Sequence, residues 1–585
     1  MSYIVLWNSI AKRRRSISDT FYDNGLGTLK GYLEDKGHCV DVIDWARDDV
    51  FQAFSPLILA VIIRKFYSIL MISKMKVVRK LLGAILLQMQ EFLSAIQRRR
   101  LNKAIMRFAY ELKKRQARIL GIKLWYGDAF RNAKYLISII KKIVPEIVLI
   151  AGGYHLTLYE EHLFQGTDFD LGVVGEAEYT LEKILNLADN YKDNWNKDRF
   201  LEEIISLAQD GEIENLLYHK NGKVFKTFRR PQSIRQSKSI PHYLIDKNKV
   251  RIHVIVESLG CDWGKCHFCV HSHFYPHYSL RDPEELIREI EAMLKIGIGI
   301  FRFAGSDTPP TFGMHIAEKI KERGLKIIYG MGSRPIKGAR HQYDKLVTAY
   351  STLIESGLRS VFMGGESGND FINQEVMNKG VVFEDIVYTV KALRQAESKI
   401  GQKVYLSLAL IYPAPLLGKI TLNELRQDNI RLLDQTFPDS VMITPPGPFL
   451  HTEWYEQRDK FGFEVDENII KKAMEYEYVL YKPPHLWPEL GISLEGRPFK
   501  ILLEECNEFR RQVEQELNIP TDLSDEHFLM FYAAGIRDRD EILKTKRDTM
   551  LDIVSCDYRL SRKIARKVNI FSYQLATGQR IVKDE

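Results

Sequence analysis

The apolar positions of the first 190 residues fall into short blocks separated by amphipathic stretches. YIVLWN (3–8) is apolar on both faces, as a buried parallel strand is. LGTLKGYLEDKG (26–37) after it has helical spacing and stops at a glycine. HCVDVIDW (38–45), RILGIKLWYG (118–127), EIVLIAGGYH (146–155) and FDLGVVGEAEYTLEKIL (169–185) continue the alternation. The series predicts an α/β domain with a doubly wound parallel, Rossmann-type sheet over residues 1–190. Ligands of such sheets lie beyond the carboxyl ends of the strands. Those ends are Trp125, Tyr126 and Gly127; Gly152, Gly153 and Tyr154; and Gly175 and Glu176.

Residues 48–117 interrupt the alternation. PLILAVIIRKFYSILMI (56–72) and LLGAILLQMQEFLSAI (81–96) are strongly apolar, but Arg64, Lys65 and the cluster KMKVVRK (74–80) break them. No run reaches the roughly 18 uncharged residues that a spanning helix needs. Two or three long helices folded onto the protein as a hairpin are expected. The alternative is basic amphipathic helices resting on a membrane or facing an anionic substrate.

Residues 191–250 are polar and irregular and read as a linker, with a hairpin suggested by YHKNGKVFKTFRRPQS (218–233). A second series follows: IHVIVES, GIFRFAG, KIIYGMG, SVFMGGE, VYLSLALIY and DSVMITPP, each separated by helical sequence. Six such units over 251–464 predict a partial TIM-like βα barrel with its functional residues at the strand C-termini. Residues 465–585 have helical periodicity and are expected to close the barrel mouth.

Composition alters this picture little, since 45% hydrophobic and 27% charged residues are those of a globular chain. Charge is more informative. Between Trp45 and Leu120 there are 16 Lys/Arg against 4 Asp/Glu, so the net +8 of the chain belongs to the insertion. Without an interleaved aromatic motif, this does not point to nucleic acid. Only six cysteines occur, and Cys39, Cys506 and Cys556 are scattered, which is no disulfide framework. The N-terminus places its apolar run before its basic run, the reverse of a secretory signal. A cytoplasmic location is expected, with peripheral membrane contact through 48–117 as the alternative.

The other three cysteines, Cys261, Cys266 and Cys269, stand together in ESLGCDWGKCHFC (257–269). On spacing alone, with His267, His271 and His273 nearby, they suit a Cys3His zinc site. They equally suit three ligands of a four-iron cluster. Their place on the loop after the first strand of the second series favours the cluster, because that is where a barrel keeps its chemistry.

The loop resembles the signature of the radical S-adenosylmethionine (SAM) superfamily, C-x3-C-x-Φ-C with Φ aromatic. Phe268 takes the aromatic position, beside the SAM adenine in that family. One residue too many separates the first two cysteines, and Gly264 is expected to absorb it in a turn. FRFAGSDTPP resembles the segment that holds the SAM methionine group, with counterparts Gly305, Ser306 and Asp307. GMGSRP supplies Arg334. MGGESGNDFINQEVMNKG resembles the fourth-strand segment, where Glu366 and Ser367 would contact the SAM ribose and amino group. PPGPFLHTEWYEQRDKFGF resembles the last-strand segment.

VPEIVLIAGGYHLTLYEEHL followed by LGVVGEAEYTLEKIL resembles the cobalamin (B12)-binding domain that precedes many such barrels. The D-x-H-x-x-G motif of other cobalamin proteins is absent, as is common in this subgroup, and His155 reads as a loop residue. The resemblance implies a [4Fe-4S] cluster, SAM and cobalamin, and reductive cleavage of SAM to a 5′-deoxyadenosyl radical. It also implies a flavodoxin- or ferredoxin-type reductant. Cobalamin-dependent methylation of an unactivated carbon is the expected outcome, on a small-molecule, peptide or lipid substrate. Cyclisation, carbon–carbon coupling or rearrangement without methyl transfer is the alternative, and a non-catalytic zinc-binding module is the remaining one. With only Cys39 in the first domain, a methylthiotransferase is excluded. Cys506 and Cys556 read as core residues.

Overall fold

The computed structural model describes residues 2–230, 239–477, 482 and 486–579. The first sheet has seven strands. Five are parallel: β1 (Tyr3–Asn8), β2 (Cys39–Asp44), β3 (Ile119–Lys123), β4 (Val148–Gly152) and β5 (Leu171–Val173). Their order is β2-β1-β3-β4-β5, so the winding reverses between β1 and β3. Helices cover both faces, which is why these strands are apolar on both sides. The expected doubly wound sheet is present.

The stretch expected to be a linker does more than connect. Residues Lys197–Gln209 form a helix, and β6 (Leu216–Lys220) and β7 (Lys223–Lys226) pair antiparallel onto β5 and complete the sheet. The last part of the anticipated hairpin segment, 231–233, lies outside the described residues.

The insertion forms a short helix, Asp48–Phe54, then a hairpin with a short arm, Leu57–Ile72, and a long arm, Lys76–Lys114. Buried positions on the long arm begin at Leu86 and run Gln90, Leu93, Gln97, Leu101, Ile105, Phe108 and Leu112. These steps of three and four keep one face on the body of the protein. Arg98 fixes this arm by pairing with Asp128 and Asn132, at the start of the helix that follows β3.

The second sheet has six parallel strands in chain order: β8 (His253–Ile255), β9 (Ile300–Phe303), β10 (Ile328–Ser333), β11 (Leu358–Glu366), β12 (Tyr405–Ile411) and β13 (Ser440–Thr444). This is the expected partial barrel. Outward residues such as Phe301, Tyr329, Val361 and Leu406 pack under the surrounding helices. The inward ones are small at Gly330, Ser360 and Ser407, because a C-terminal helix, Asp525–Ala533, fills the space. A Cβ on Gly330 would lie 3.0 Å from Leu529, and the hydroxyls of Ser360 and Ser407 donate to the carbonyls of Asp525 and Leu523 (3.2 and 2.7 Å). Arg302 reaches the same helix through both oxygens of Asp525 (2.6 and 3.2 Å).

This corrects the expectation for the C-terminal region. Asp525–Ala533 and Arg559–Thr577 pack with Ile300, Ile328 and Tyr405, the first residues of their strands. They seal the floor of the barrel and not its mouth. Cys506 and Cys556 are buried in the core.

Candidate functional site

The three cysteines follow β8 on one loop. Gly264 takes φ +58° and turns the chain where the extra residue sits. The neighbouring Trp263 folds back over the segment Asn378–Gly380, its indole N–H donating to the Asn378 carbonyl (2.6 Å). Gly380 adopts φ +75°, and a Cβ there would lie 2.4 Å from the indole ring, so only glycine fits beneath it. The Arg334 guanidinium lies 5.4 Å from the centre of the same ring.

Burial pushes all three thiols up, Cys266 to about 12, while backbone N–H groups and the Lys379 and Arg334 charges pull the other way. The three sulfurs do not gather within 4.8 Å of one another. Tetrahedral zinc, with Zn–S near 2.3 Å, would bring them to about 3.8 Å. The nearby histidines are each engaged at one ring nitrogen. His267 Nδ1 faces the Val376 carbonyl (3.1 Å), His271 Nδ1 shares a hydrogen bond with Ser306 Oγ (2.9 Å), and His273 Nε2 faces Arg229 (3.2 Å). Three thiolates on one strand-end loop fit a polynuclear centre held by cysteine sulfur.

Around this loop the strand ends converge. Gly305 donates its N–H to both carboxylate oxygens of Glu257 (3.1 and 2.9 Å), and a Cβ on it would lie 2.3 Å from Ser258 Oγ. Asp307 Oδ2 is 4.0 Å from Cys261 Sγ, and its Oδ1 accepts the Arg334 N–H (3.1 Å). Burial pushes this carboxyl up to about 7. The Arg334 side chain donates to Asp262 (3.0 Å) and to the Lys379 carbonyl (2.9 Å). Glu366 sits at a β-bulge in β11 with φ +61° and pairs with the buried Lys379 ammonium (2.8 Å). Phe268 packs beside Trp454, ring centres 5.6 Å apart. Ser367 is fully buried, and its hydroxyl bonds Asn429 (3.4 Å) and the Asn369 N–H (3.1 Å), so it organises the loop from within.

The sequence reading did not single out Glu257 or Lys379. Glu257 is one charge at the end of an apolar run and Lys379 one in a polar turn, and spacing alone does not distinguish either from a surface ion-pair partner. Their signal was position, one strand end before the cysteines and one inside the NKG turn.

A cavity of about 770 Å³ opens beyond the carboxyl ends of β1, β3, β4 and β5, at the reversal of strand order. Trp125, Gly152, Gly153, Tyr154, Gly175 and Glu176 line it, together with Asn8 and Lys123. The Trp125 indole N–H donates to Asn8 Oδ1 (3.0 Å), and Lys123 pairs with Asp23. Gly153 and Gly175 have φ +97° and +75°, and a Cβ on Gly152 would meet nothing nearer than 4.0 Å. These loops bring bare backbone to the cavity, which fits a broad, rigid ligand.

Tyr126 and Gly127 do not line this cavity. Gly127 caps the next helix, donating its N–H to the Met474 carbonyl (2.6 Å), and Tyr126 lies under Arg15. His155 is packed among the rings of Trp125, Tyr126 and Tyr154, and burial lowers its pKa to about 4, so it is neutral. The far wall of the cavity is Val254, Val256 and Ala304, from β8, β9 and the residues just after them.

Fold and site together define a thiolate-held cluster at the mouth of a partial barrel, facing a Rossmann-type ligand domain. Residues 256–411 match the radical SAM superfamily model, and residues 96–185 match the B12 binding domain model. The chain thus carries a radical SAM domain and a B12 binding domain, and the first of these implies a [4Fe-4S] cluster and SAM.

Two curated relatives are anaerobic magnesium-protoporphyrin IX monomethyl ester cyclases. That of Cereibacter sphaeroides is 25% identical over 283 residues, 45% of this chain and 42% of the relative. That of Rubrivivax gelatinosus is 25% identical over 282 residues, 46% and 47% of the two chains. The alignments thus cover under half the length of either relative.

Among solved structures, the radical SAM methyltransferase TsrM from Kitasatospora setae, with cobalamin and a [4Fe-4S] cluster bound, superposes at a TM-score of 0.60. Identity is 13%, covering 94% of this chain and 100% of that one. The cobalamin-dependent SAM radical enzyme OxsB, with aqua-cobalamin and SAM bound, gives 0.53 at 15% identity, covering 94% and 71%. At these identities the likeness is one of fold.

Proposed function

We propose that the protein is a cobalamin-dependent radical SAM methyltransferase acting on an unactivated carbon of a small-molecule, peptide or lipid substrate. The carrying observation is the shared wall. Val256 and Ala304 line the cavity of the first domain, and the residues that follow them, Glu257 and Gly305, bond to each other beside the cysteine loop. A ligand in that cavity lies one residue from the SAM loop, the arrangement that a direct handover to substrate requires.

When bound, the cluster and cobalamin would supply the one-electron reduction of SAM and the methyl donor. The chain's own residues then have definite tasks. Cys261, Cys266 and Cys269 would hold the cluster as thiolates, with Lys379 and Arg334 offsetting their charge. Gly305, Ser306 and Asp307 would orient the methionine group, the backbone of Gly305 being fixed by Glu257. Phe268 would face the adenine, and Glu366 the ribose. Trp125, Gly152, Gly153, Tyr154, Gly175 and Glu176 would cradle the corrin.

A second reading, cyclisation or another radical outcome without methyl transfer, is favoured by the cyclase relatives. One assay separates the two. The anaerobically loaded protein is given SAM labelled in its methyl group, a flavodoxin- or ferredoxin-type reductant and candidate substrates. Methyl transfer yields S-adenosylhomocysteine alongside 5′-deoxyadenosine, with label in the product. 5′-Deoxyadenosine alone, with unlabelled product, supports the second reading and removes the first. Changing any of the three cysteines to Ala is expected to reduce SAM cleavage to background and to remove the bound iron.

A further inference from the structure

The helical hairpin is anchored at one end only. The buried stripe of the long arm ends at Leu86, and none of the ten residues before it is buried. On the short arm only Ala60 and Ile63 are buried; Arg64 pairs with Asp552, and the last contacts with the body are Phe66, Tyr67 and Leu70, partly buried against its core. At 1.5 Å per residue, the ten free residues of the long arm project about 15 Å.

The tip beyond these contacts, residues 71–85, has an unusual surface. Ile72 is 80% exposed, Val77 78%, Met75 66% and Leu81 62%. Isolated exposed apolar residues need no explanation, but a cluster of this size on a projecting element does. Lys74, Lys76, Arg79 and Lys80 stand among them, and the segment contains no Asp or Glu. Among the described residues none of the four is in an ion pair, and the first acid along the arm, Glu91, is paired with Lys482.

We infer that the hairpin tip seats the protein on an anionic lipid surface. Apolar residues interleaved with several cations, and no anions, suit the boundary between anionic headgroups and acyl chains. Seating does not mean spanning. No single helix among the described residues is long and apolar enough to cross a bilayer. The one bent pair that passes by length and composition, Asp48–Phe54 with Leu57–Ile72, turns by 88°. Its first member is fixed inside the protein by Phe51, Phe54 and the Arg14–Asp48 ion pair (2.7 Å).

The tip is also coupled to the cavity. Gln90 and Gln97 of the long arm accept from the Arg13 guanidinium (2.6 and 2.7 Å), and Arg13 lines the cavity wall. From Leu81 to Gln90 is about 14 Å along the helix. A seated tip therefore holds the cavity close to the lipid.

The test is flotation of the full chain with vesicles of phosphatidylcholine alone and of phosphatidylcholine mixed with phosphatidylglycerol. It needs no turnover, so it stands apart from the proposed reaction. The chain is expected to float with the mixed vesicles and to be released by salt. The variant K74E/K76E/R79E/K80E is expected to bind at least about tenfold more weakly. Ile72→Ser with Val77→Ser should weaken binding while keeping its salt dependence. Because these side chains pack against nothing, circular dichroism and iron content should not change. Absence of binding to mixed vesicles overturns the inference, as does equal binding of wild type and charge-reversed variant. A tip that instead joins two copies would lower the light-scattering mass of the charge-reversed variant without vesicle recovery of the wild type, and this too overturns it.

Discussion

Gly380 makes room for the Trp263 indole that the cysteine loop lays over it. Its φ of +75°, and an indole that would stand 2.4 Å from any Cβ there, leave no room for a side chain. Gly380→Ala is expected to cost about 1–3 kcal/mol through strain and to push Trp263 off the Asn378 carbonyl. The measurement is iron bound per chain after anaerobic reconstitution, together with the thermal midpoint, and both should fall. Asp128 carries a different kind of constraint. Burial raises its pKa, but the charges of Lys12 and Arg98, with the Lys12 N–H, overcome this and hold it below the usual carboxylate range. A depressed pKa contributes stability that is fully present above the unfolded value, near 3.9, and is lost as pH falls through the folded one. Asp128→Asn should therefore cost about 3 kcal/mol at neutral pH by removing the anion of Arg98, while Lys12 keeps Glu477 (3.1 Å). In urea unfolding, its gap from wild type should narrow below about pH 4.

At the scale of elements, the C-terminal helix Asp525–Ala533 acts as part of the barrel. The interior strand positions are small where this helix enters, and Arg302 grips it through both oxygens of a fully buried Asp525. Arg302→Met would leave that carboxylate without its main counter-charge, and a loss of about 3–5 kcal/mol follows. Equilibrium unfolding followed by circular dichroism checks this, and a change below about 1 kcal/mol would mean that the pair behaves as a surface contact. The helical hairpin shows the opposite division. Its stripe from Leu86 to Leu112 is structural, while the segment before it has no fully buried residue.

For the whole molecule, the sequence disclosed whatever repeats. Eleven parallel strands in two series were legible because each is a short apolar block separated from the next by helical sequence. The cysteine loop and its neighbours were legible because they fall at the strand ends. The hairpin of β6 and β7 was suggested too, but not its pairing onto β5, since β7 is mostly exposed and the polar stretch around it resembles a linker. The C-terminal helices were expected at the barrel mouth, but periodicity records that a face is covered and not which end of a barrel covers it. Tyr126 and Gly127 were placed at a strand end correctly and still miss the cavity, because the chain has already turned into the next helix there. The pairing of Glu366 with Lys379 closes over thirteen residues through a turn that no local pattern describes.

The floor of the barrel also orders events during synthesis. The six strands are complete at Thr444, yet the helix that fills their interior ends at Ala533, 89 residues later. At the usual pace of translation, ~5–20 residues per second, the ribosome takes roughly 4–18 s to cover that distance. For that interval the nascent barrel has its cysteine loop in place and its underside open. Assembly factors that deliver iron and sulfide would meet a looser scaffold then than in the finished chain.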